Sequence, residues 1–169
     1  MILTLEKLKE YRRITKSSDC KNLDIYLREA QQIDLKDFLG YGLYYDMIEN
    51  IGDQKYQDFV YGVRYDDDID SETVTIDYKG LEPLLAYWAY ARILNNHHVV
   101  ISKTGITTGT YDEDEPLTDR QRDNLIKENK KLADSYKSEV EHFLCEKETE
   151  YPLWCGFSKK PSNFGFFAL

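Results

Sequence analysis

The sequence predicts a mainly α fold: a compact helical bundle with a small β-hairpin or arm and an extended aromatic C-terminal tail. Two long segments carry the helical pattern. Leu81–Asn95 is the most apolar stretch, and an amphipathic pattern runs from Thr118 to about Glu148. Between them, residues at about 99–111 are β-prone. The last segment, Tyr151–Leu169, mixes aromatic residues with prolines and glycines, a composition that a regular helix does not accept.

Short amphipathic pieces are predicted in the first third of the chain. Met1–Arg13 predicts a short helix or an extended arm, and a helix should run from about Cys20 to Gln32. Ile33 continues the apolar stripe of that helix. Asp34 is placed to cap a second piece, Leu35–Leu39, because its side chain can accept from backbone N–H groups of the next turn. Two further short helices are predicted at Leu43–Glu49 and Tyr56–Tyr61.

Both long helices have recognisable starts and buried faces. Leu81–Asn95 should be the central buried helix, and Pro83 fits its first turn, where a missing N–H costs little. Thr118 and Gln121 form a capping box for the last helix. The side chain of Cys145 is predicted to pack near the buried face of that helix. The face itself is predicted at Leu125, Leu132, Tyr136, Val140, Phe143 and Leu144.

Three regions are predicted to be non-helical. Tyr65–Ser71 is acidic and predicts a loop. Thr73–Tyr78 alternates, with Val74, Ile76 and Tyr78 on one face, which is typical of a strand. Val99–Ser102 and Ile106–Tyr111 flank Gly105 and predict the hairpin or arm. We therefore divide the chain into a helical domain, residues 1–150, and an extended docking tail, residues 151–169.

Composition limits the function classes. A net charge of −9 disfavours a sequence-reading DNA-binding role, because an acidic surface repels phosphate. The 14 tyrosines fit half-buried protein contacts or the rim of the chain's own core. Three widely spaced cysteines indicate reduced thiols rather than disulfides. With no signal peptide and no apolar run long enough for a bilayer, we expect a protein that is made in the cytoplasm and used there or carried out inside a particle.

Candidate chemical sites are weak. Asp66, Asp68, Asp70 and Asp77 occupy EF-hand-like spacing, but Ser71 stands where the loop needs Gly, so a solvated acidic loop is favoured over calcium. His97 and His98 are adjacent, whereas two metal ligands on one helix need i, i+4 spacing, so a helix end is favoured over zinc. Lys103–Gly105 has the wrong order for a phosphate loop, and no spacing supports a Cys–His pair. The prediction is a non-enzyme with no catalytic, cofactor-binding or metal-binding residues.

Three stretches carry a family resemblance. They are Ile25–Gly40, the Ala/Tyr-rich segment Gly80–Leu94, and the β-prone arm with Thr104–Ile106 followed by the charged helix from Thr118. This order resembles the head–tail connector (adaptor or ring) proteins of tailed bacteriophages. With its Tyr-Pro-Leu-Trp motif and Gly-Phe tail over residues 151–167, the chain is most similar to the versions in crAss-like and related phages of gut Bacteroidetes.

The resemblance implies a structural virion protein that forms a ring below the portal, joins capsid to tail in the phage neck and lines the DNA passage. The implied partners are other copies of itself, about twelve in a closed ring, together with the portal protein and neighbouring neck or tail proteins. DNA would pass through the lumen, for example during ejection, without sequence-specific binding, and no membrane is involved. The expected location is the virion neck, and the host cytoplasm during assembly. The alternative is a soluble protein-binding adaptor or regulatory protein without ring assembly.

Two segments are predicted to bind partners. The arm could add strands to a neighbouring subunit, and the tail could insert aromatic side chains into a groove of the portal or of an adjacent ring. The partner-binding residues under this hypothesis are Thr104, Ile106, Tyr111, Tyr151, Trp154, Phe157, Phe164, Phe166 and Phe167.

Overall fold

The computed structural model describes residues 1–11, 23–69, 72–96, 99–102, 105–108 and 119–154. Within these residues the fold is mainly helical with small antiparallel hairpins, which confirms the predicted fold class. The α-helices are α1 (Leu5–Tyr11), α2 (Leu23–Glu29), α3 (Lys36–Leu39), α4 (Tyr41–Glu49), α5 (Gln54–Tyr61), α6 (Glu82–Asn96) and α7 (Asp119–Glu146). The strands are β1 (Val63–Ile69), β2 (Glu72–Tyr78), β3 (Val99–Ser102) and β4 (Gly105–Thr108).

Helix α6 is the centre of the helical body, as predicted. Leu84, Leu85 and Ala89 are fully buried, and α1, α2 and α7 all contact this helix. The small side chains on α6 let its neighbours approach closely. Tyr87 of α6 stacks on Tyr136 of α7 with ring centroids 5.5 Å apart, which aligns the two longest helices.

The buried face of α7 differs from the predicted one at two positions. Leu132 is exposed, whereas its neighbour Ala133 is buried, and Cys145 is exposed rather than packed. The inward positions follow a spacing of three and four residues, which is the helical period. They are Ile126, Asn129, Ala133, Tyr136, Val140 and Phe143. Leu132 and Cys145 lie off this stripe. They are therefore exposed because of their position on the helix, although both side chains are apolar.

A π-helical turn, Ala30–Leu35, joins α2 to α3. It replaces the predicted break at Asp34, whose side chain caps no helix. A π-helical turn accommodates an extra residue, which rotates the positions that follow. Ile33 is accordingly 52% exposed, although the sequence predicted it on the apolar stripe, while Leu35 is fully buried. Gly40, with a φ of 78°, then separates α3 from α4.

Strands β1 and β2 form an antiparallel hairpin in which Val63 pairs with Tyr78 and Asp67 with Val74. The prediction of a loop from Tyr65 was therefore wrong up to Ile69, which is the end of β1. β2 is confirmed as a strand, with Tyr78 buried and Val74 exposed. The hydroxyl of Tyr78 donates to the carbonyl oxygen of Phe59 at 3.0 Å, which fixes the hairpin base to α5.

Two glycines close the base of this hairpin. Gly62 and Gly80 have φ values of 94° and 78°, which favour glycine. A Cβ on Gly62 would collide with the carbonyl oxygen of Tyr78, and one on Gly80 would collide with the carbonyl oxygen of Val60. The N–H of Leu81 donates to the same Val60 oxygen at 2.9 Å. The two backbones are therefore in direct contact where the chain enters and leaves the hairpin.

The start of the predicted tail is part of the helical body. Tyr151 is fully buried, and its hydroxyl donates to the carbonyl oxygen of Lys55 at 2.5 Å. Trp154 packs edge-on against Phe38 at 5.5 Å between ring centroids. Residues 151–154 therefore belong with residues 1–150, and the remaining predicted tail lies outside the described residues.

Candidate interaction surfaces and a histidine–carboxylate cluster

The β3–β4 hairpin is a two-stranded sheet of its own. Val99 pairs with Thr108 and Ile101 with Ile106, and within the described parts of the chain no third strand joins either edge. A lone two-stranded hairpin is marginally stable in water, and its unpaired N–H and C=O groups accept further strands. The strands are rich in β-branched residues, among them Val100. This arm therefore has the properties of a site for strand addition.

A second surface lies on α4, and the sequence did not single it out. Tyr41 and Tyr45 are 61% and 50% exposed and stand one helical turn apart, with ring centroids separated by 6.3 Å. The Nζ of Lys36 lies 5.3 Å from the ring centre of Tyr41. Leu153 is also exposed, and its Cβ lies 3.8 Å from the position of a Cβ on Gly42. We call Tyr41, Tyr45 and Leu153 the tyrosine patch. In the sequence, this patch is indicated by the spacing of its two tyrosines, which is one helical turn.

An open cleft of about 500 Å³ lies between α3, α6 and α7. Phe38 and Trp88 form its aromatic wall, and Arg92 of α6 lines it together with Lys130 and Lys137 of α7. Arg92 is already bound by two carboxylates: its Nη1 donates to Glu29 at 2.9 Å, and Asp34 takes two further hydrogen bonds. The hydrogen bond with Asp34 is the largest cause of the raised pKa of Arg92. The charge is therefore compensated within the protein, and the cleft is best explained as a junction that fixes the π-helical turn on α6.

A third group of polar side chains joins the β1–β2 hairpin to the last turns of α7. Asp67 of β1 accepts a hydrogen bond from the imidazole of His142, with Oδ2 and Nε2 2.9 Å apart. Glu146 lies one turn beyond His142 on the same side of α7. The nearest ligand atoms of the three residues all lie within 4.8 Å of one another. The sequence interpretation missed His142 and Glu146, although their i, i+4 spacing is the metal-ligand spacing that it found lacking at His97 and His98.

Two of the four aspartates with EF-hand-like spacing, Asp66 and Asp77, make contacts within the β1–β2 hairpin, whereas Asp70 lies outside the described residues. Asp66 accepts a hydrogen bond of 2.7 Å from Thr75, its cross-strand partner. Asp77 pairs with Lys79 and lies 3.8 Å from the Nε of Arg64. The hydrogen bond from Lys79 lowers the pKa of Asp77. A strand conformation at Asp66 does not allow the loop that calcium would need.

The predicted partner-binding residues fall into three groups. Tyr151 and Trp154 pack against their own chain, so the structure corrects their predicted role as free docking side chains. Ile106 lies in β4, in the arm. Thr104, Tyr111, Phe157, Phe164, Phe166 and Phe167 lie outside the described residues, as do His97 and His98. The arm is therefore the predicted partner-binding segment whose strands lie within the described residues.

No described helix combines the length and the hydrophobicity needed to cross a lipid bilayer. No curated protein sequence matches this chain, and no solved structure matches it. A family model, described as a family of unknown function (DUF6712), matches residues 35–163. The match begins at the end of the π-helical turn, includes α3 to α7 and both hairpins, and covers most of the chain. The chain therefore belongs to the DUF6712 family.

Proposed function

We propose that this protein is a structural subunit that assembles with copies of itself into the ring of a phage head–tail connector. The ring would lie below the portal in the neck of the virion, join capsid to tail and surround the passing DNA. Assembly would take place in the host cytoplasm. Catalytic turnover and cofactors have no part in this proposal. The observation that carries it is the β3–β4 arm, whose strands lack a third partner within the described residues.

The arm supports ring assembly because ring interfaces are heterologous. In a closed ring, one surface of each subunit contacts a different surface of the next, so each copy needs a donor element and an acceptor surface. The arm is suited to be the donor, since strand addition by backbone hydrogen bonds requires little of the partner's sequence. Strand addition needs a strand edge, so the tyrosine patch on α4 would make a separate side-chain contact between subunits. Exposed tyrosines suit such a contact, because they bury a large ring at low entropic cost and keep the hydroxyl in water.

The charge of the chain also fits a DNA passage. At a net charge of −9, a ring of identical subunits would have an acidic character that disfavours tight binding of the phosphate backbone. DNA could then slide through the ring without being retained. The alternative function, a soluble adaptor that binds one partner, would use the tyrosine patch alone and would not need the arm.

The test is the mass of the purified full chain by light scattering, alone and mixed with the candidate portal protein. We expect a closed oligomer of about twelve copies, formed alone or only on the portal. A variant with residues 99–108 replaced by a Gly/Ser linker of equal length should lose this species and keep its melting temperature. Val74→Lys, which adds a charge at an exposed position of the other hairpin, should keep it.

The opposite results have clear meanings. A chain that stays monomeric with the portal protein contradicts the connector proposal and favours the adaptor. An oligomer that persists in the linker variant supports self-assembly but moves the interface away from the arm. The Val74→Lys control separates a loss caused by the arm from a general effect of altered hairpins.

A further inference from the structure

The position of Asp67 follows from the alternation of β1. Successive side chains of a strand point to opposite faces, so Tyr65 and Asp67 share one face. Tyr65 packs edge-on against Phe143 of α7 at 5.5 Å between ring centroids, which orients that face towards α7. Asp66, on the other face, bonds to Thr75. One of the three consecutive aspartates is thereby turned from solvent towards His142.

The carboxylate of Asp67 is buried, whereas its partner His142 is about half exposed. The side chain of Asp67 is 8% exposed, and that of His142 is 45% exposed. Removing a carboxylate from water is costly unless a cation or several donors compensate it. Glu146 adds a second carboxylate to the same place. The pKa of Tyr65 is raised, first by burial and then by the negative charges of Asp67 and Glu146, in agreement with this convergence.

We propose that Asp67, His142 and Glu146 bind a divalent transition metal ion of the zinc class. One imidazole nitrogen and two carboxylate oxygens form a ligand set that zinc accepts, and a water molecule would complete a tetrahedral site. Calcium and magnesium are disfavoured, because both prefer oxygen ligands alone. The site does not depend on ring assembly and can be tested on the isolated chain.

The geometry requires only small movements. Bonds of about 2.0–2.1 Å to zinc place neighbouring tetrahedral ligand atoms about 3.3 Å apart. The Oδ2 of Asp67 and the Nε2 of His142, now 2.9 Å apart, would separate slightly to admit the ion. Glu146 would approach by a change of side-chain rotamer, which its exposed position on α7 allows. The ion would then tie the β1–β2 hairpin to the end of α7.

The test uses the full chain after chelator treatment, titrated with ZnCl₂ by calorimetry and with CoCl₂ by visible absorption. We expect one ion per chain, a tetrahedral cobalt spectrum and a higher melting temperature with zinc. Asp67→Asn, His142→Ala and Glu146→Gln should each weaken zinc binding by more than the roughly 10–100-fold that loss of an outer-shell partner costs. Glu146→Gln is decisive for a metal role, because the exposed Glu146 is not part of the Asp67–His142 pair and its loss should leave the fold intact.

Matched controls test other groups of the chain that could bind zinc by themselves. Cys145→Ser removes an exposed thiol next to Glu146, and Glu148→Gln removes a nearby exposed carboxylate. A His97→Ala/His98→Ala variant removes the adjacent histidines. All three should bind zinc as the unmodified chain does. The proposal is overturned if the unmodified chain binds no zinc, or if Glu146→Gln and His142→Ala bind zinc as tightly as the unmodified chain, whatever the controls show.

Discussion

Arg92 of α6 donates two hydrogen bonds of 2.8 Å, from Nε and from Nη2, to the carboxylate of Asp34 in the π-helical turn. This bidentate pair joins residues 58 positions apart in the sequence. Arginine suits the role because its planar guanidinium matches both oxygens of a carboxylate at once. The pair fixes the one part of the α2–α3 segment that departs from α-helical geometry.

We expect Arg92→Met to destabilise the protein by about 1–3 kcal/mol, since hydrogen bonds to charged groups carry that range and two carboxylates would lose their cation. The measurement is the free energy of unfolding in urea. Arg28→Met is the control, because Arg28 is exposed and its Nε makes one long contact of 3.4 Å with the carbonyl oxygen of Asp24. Equal losses in both variants would show that the pair contributes little.

The glycine contact at the hairpin base gives a second prediction. Gly62→Ala should cost about 1–3 kcal/mol or more, because the new Cβ meets backbone atoms and the positive φ is strained for alanine. Gly80→Ala should behave in the same way. Gly52→Ala is the control, since a Cβ at Gly52 has no atom within 4 Å. Thermal unfolding of the three variants distinguishes a local clash from a general effect of alanine.

The start of the tail gives a third prediction. Deleting residues 151–169 should unfold or strongly destabilise the body, because loss of a buried aromatic side chain such as Tyr151 typically costs about 3–5 kcal/mol. Deleting only residues 155–169 keeps Tyr151 and Trp154, so it should cost less stability than the longer deletion and, under the proposed function, abolish attachment to the partner ring. Attachment that survives the shorter deletion would remove the tail from the interface. Leu153→Ala, at an exposed position, is the control for the stability measurement.

The tyrosine patch gives a fourth prediction, which rests on the proposed function. Tyr41→Ala and Tyr45→Ala together should lower the oligomeric mass while changing the stability of the monomer by no more than about 0.5 kcal/mol, as is usual for exposed positions. Tyr61→Ala removes an equally exposed tyrosine on α5 and should have no effect on mass. A full-size oligomer in the double variant would exclude the patch from the subunit interface.

Glu141 gives a prediction about pH. Burial raises the pKa of Glu141 above its usual 4.5 by more than the charge of Lys137 lowers it. The Oε1 of Glu141 is buried, lies 4.0 Å from the Nζ of Lys137 and accepts no hydrogen bond. The ionised form is therefore destabilising in the folded state, and this cost disappears as the pH falls through the raised pKa. We expect Glu141→Gln to raise stability at pH 7 by no more than about 1 kcal/mol, because the side chain is only partly withdrawn from water.

The control for this pH effect is Glu128→Gln, at an exposed position on α7. The gain from Glu141→Gln should shrink between neutral pH and pH 4, and the urea midpoint measured across that range reports it. A gain that stays constant with pH would mean that the carboxylate charge is not its cause.

The sequence predicted the elements whose signals are long and local. Helices α6 and α7 were recognisable because their apolar periodicity extends over many turns. β1 was missed because consecutive aspartates resemble a loop, whereas pairing with β2 satisfies their backbone groups and turns Asp67 inwards. The π-helical turn has no local sequence pattern that indicated it, and the contact made by its Asp34 is with Arg92, 58 positions away. The cluster of Asp67, His142 and Glu146 likewise joins residues that are far apart in the sequence, so no local pattern indicated it.

The π-helical turn has a consequence for the history of the fold. A π-helical turn contains one residue more than an α-helical turn. It is the expected product of a single-residue insertion into an α-helix that was retained. A relative one residue shorter between Glu29 and Leu35 would close an ordinary α-helix there and would carry Asp34 out of reach of α6. Among relatives, the length of this segment and the acidic partner of Arg92 should therefore change together.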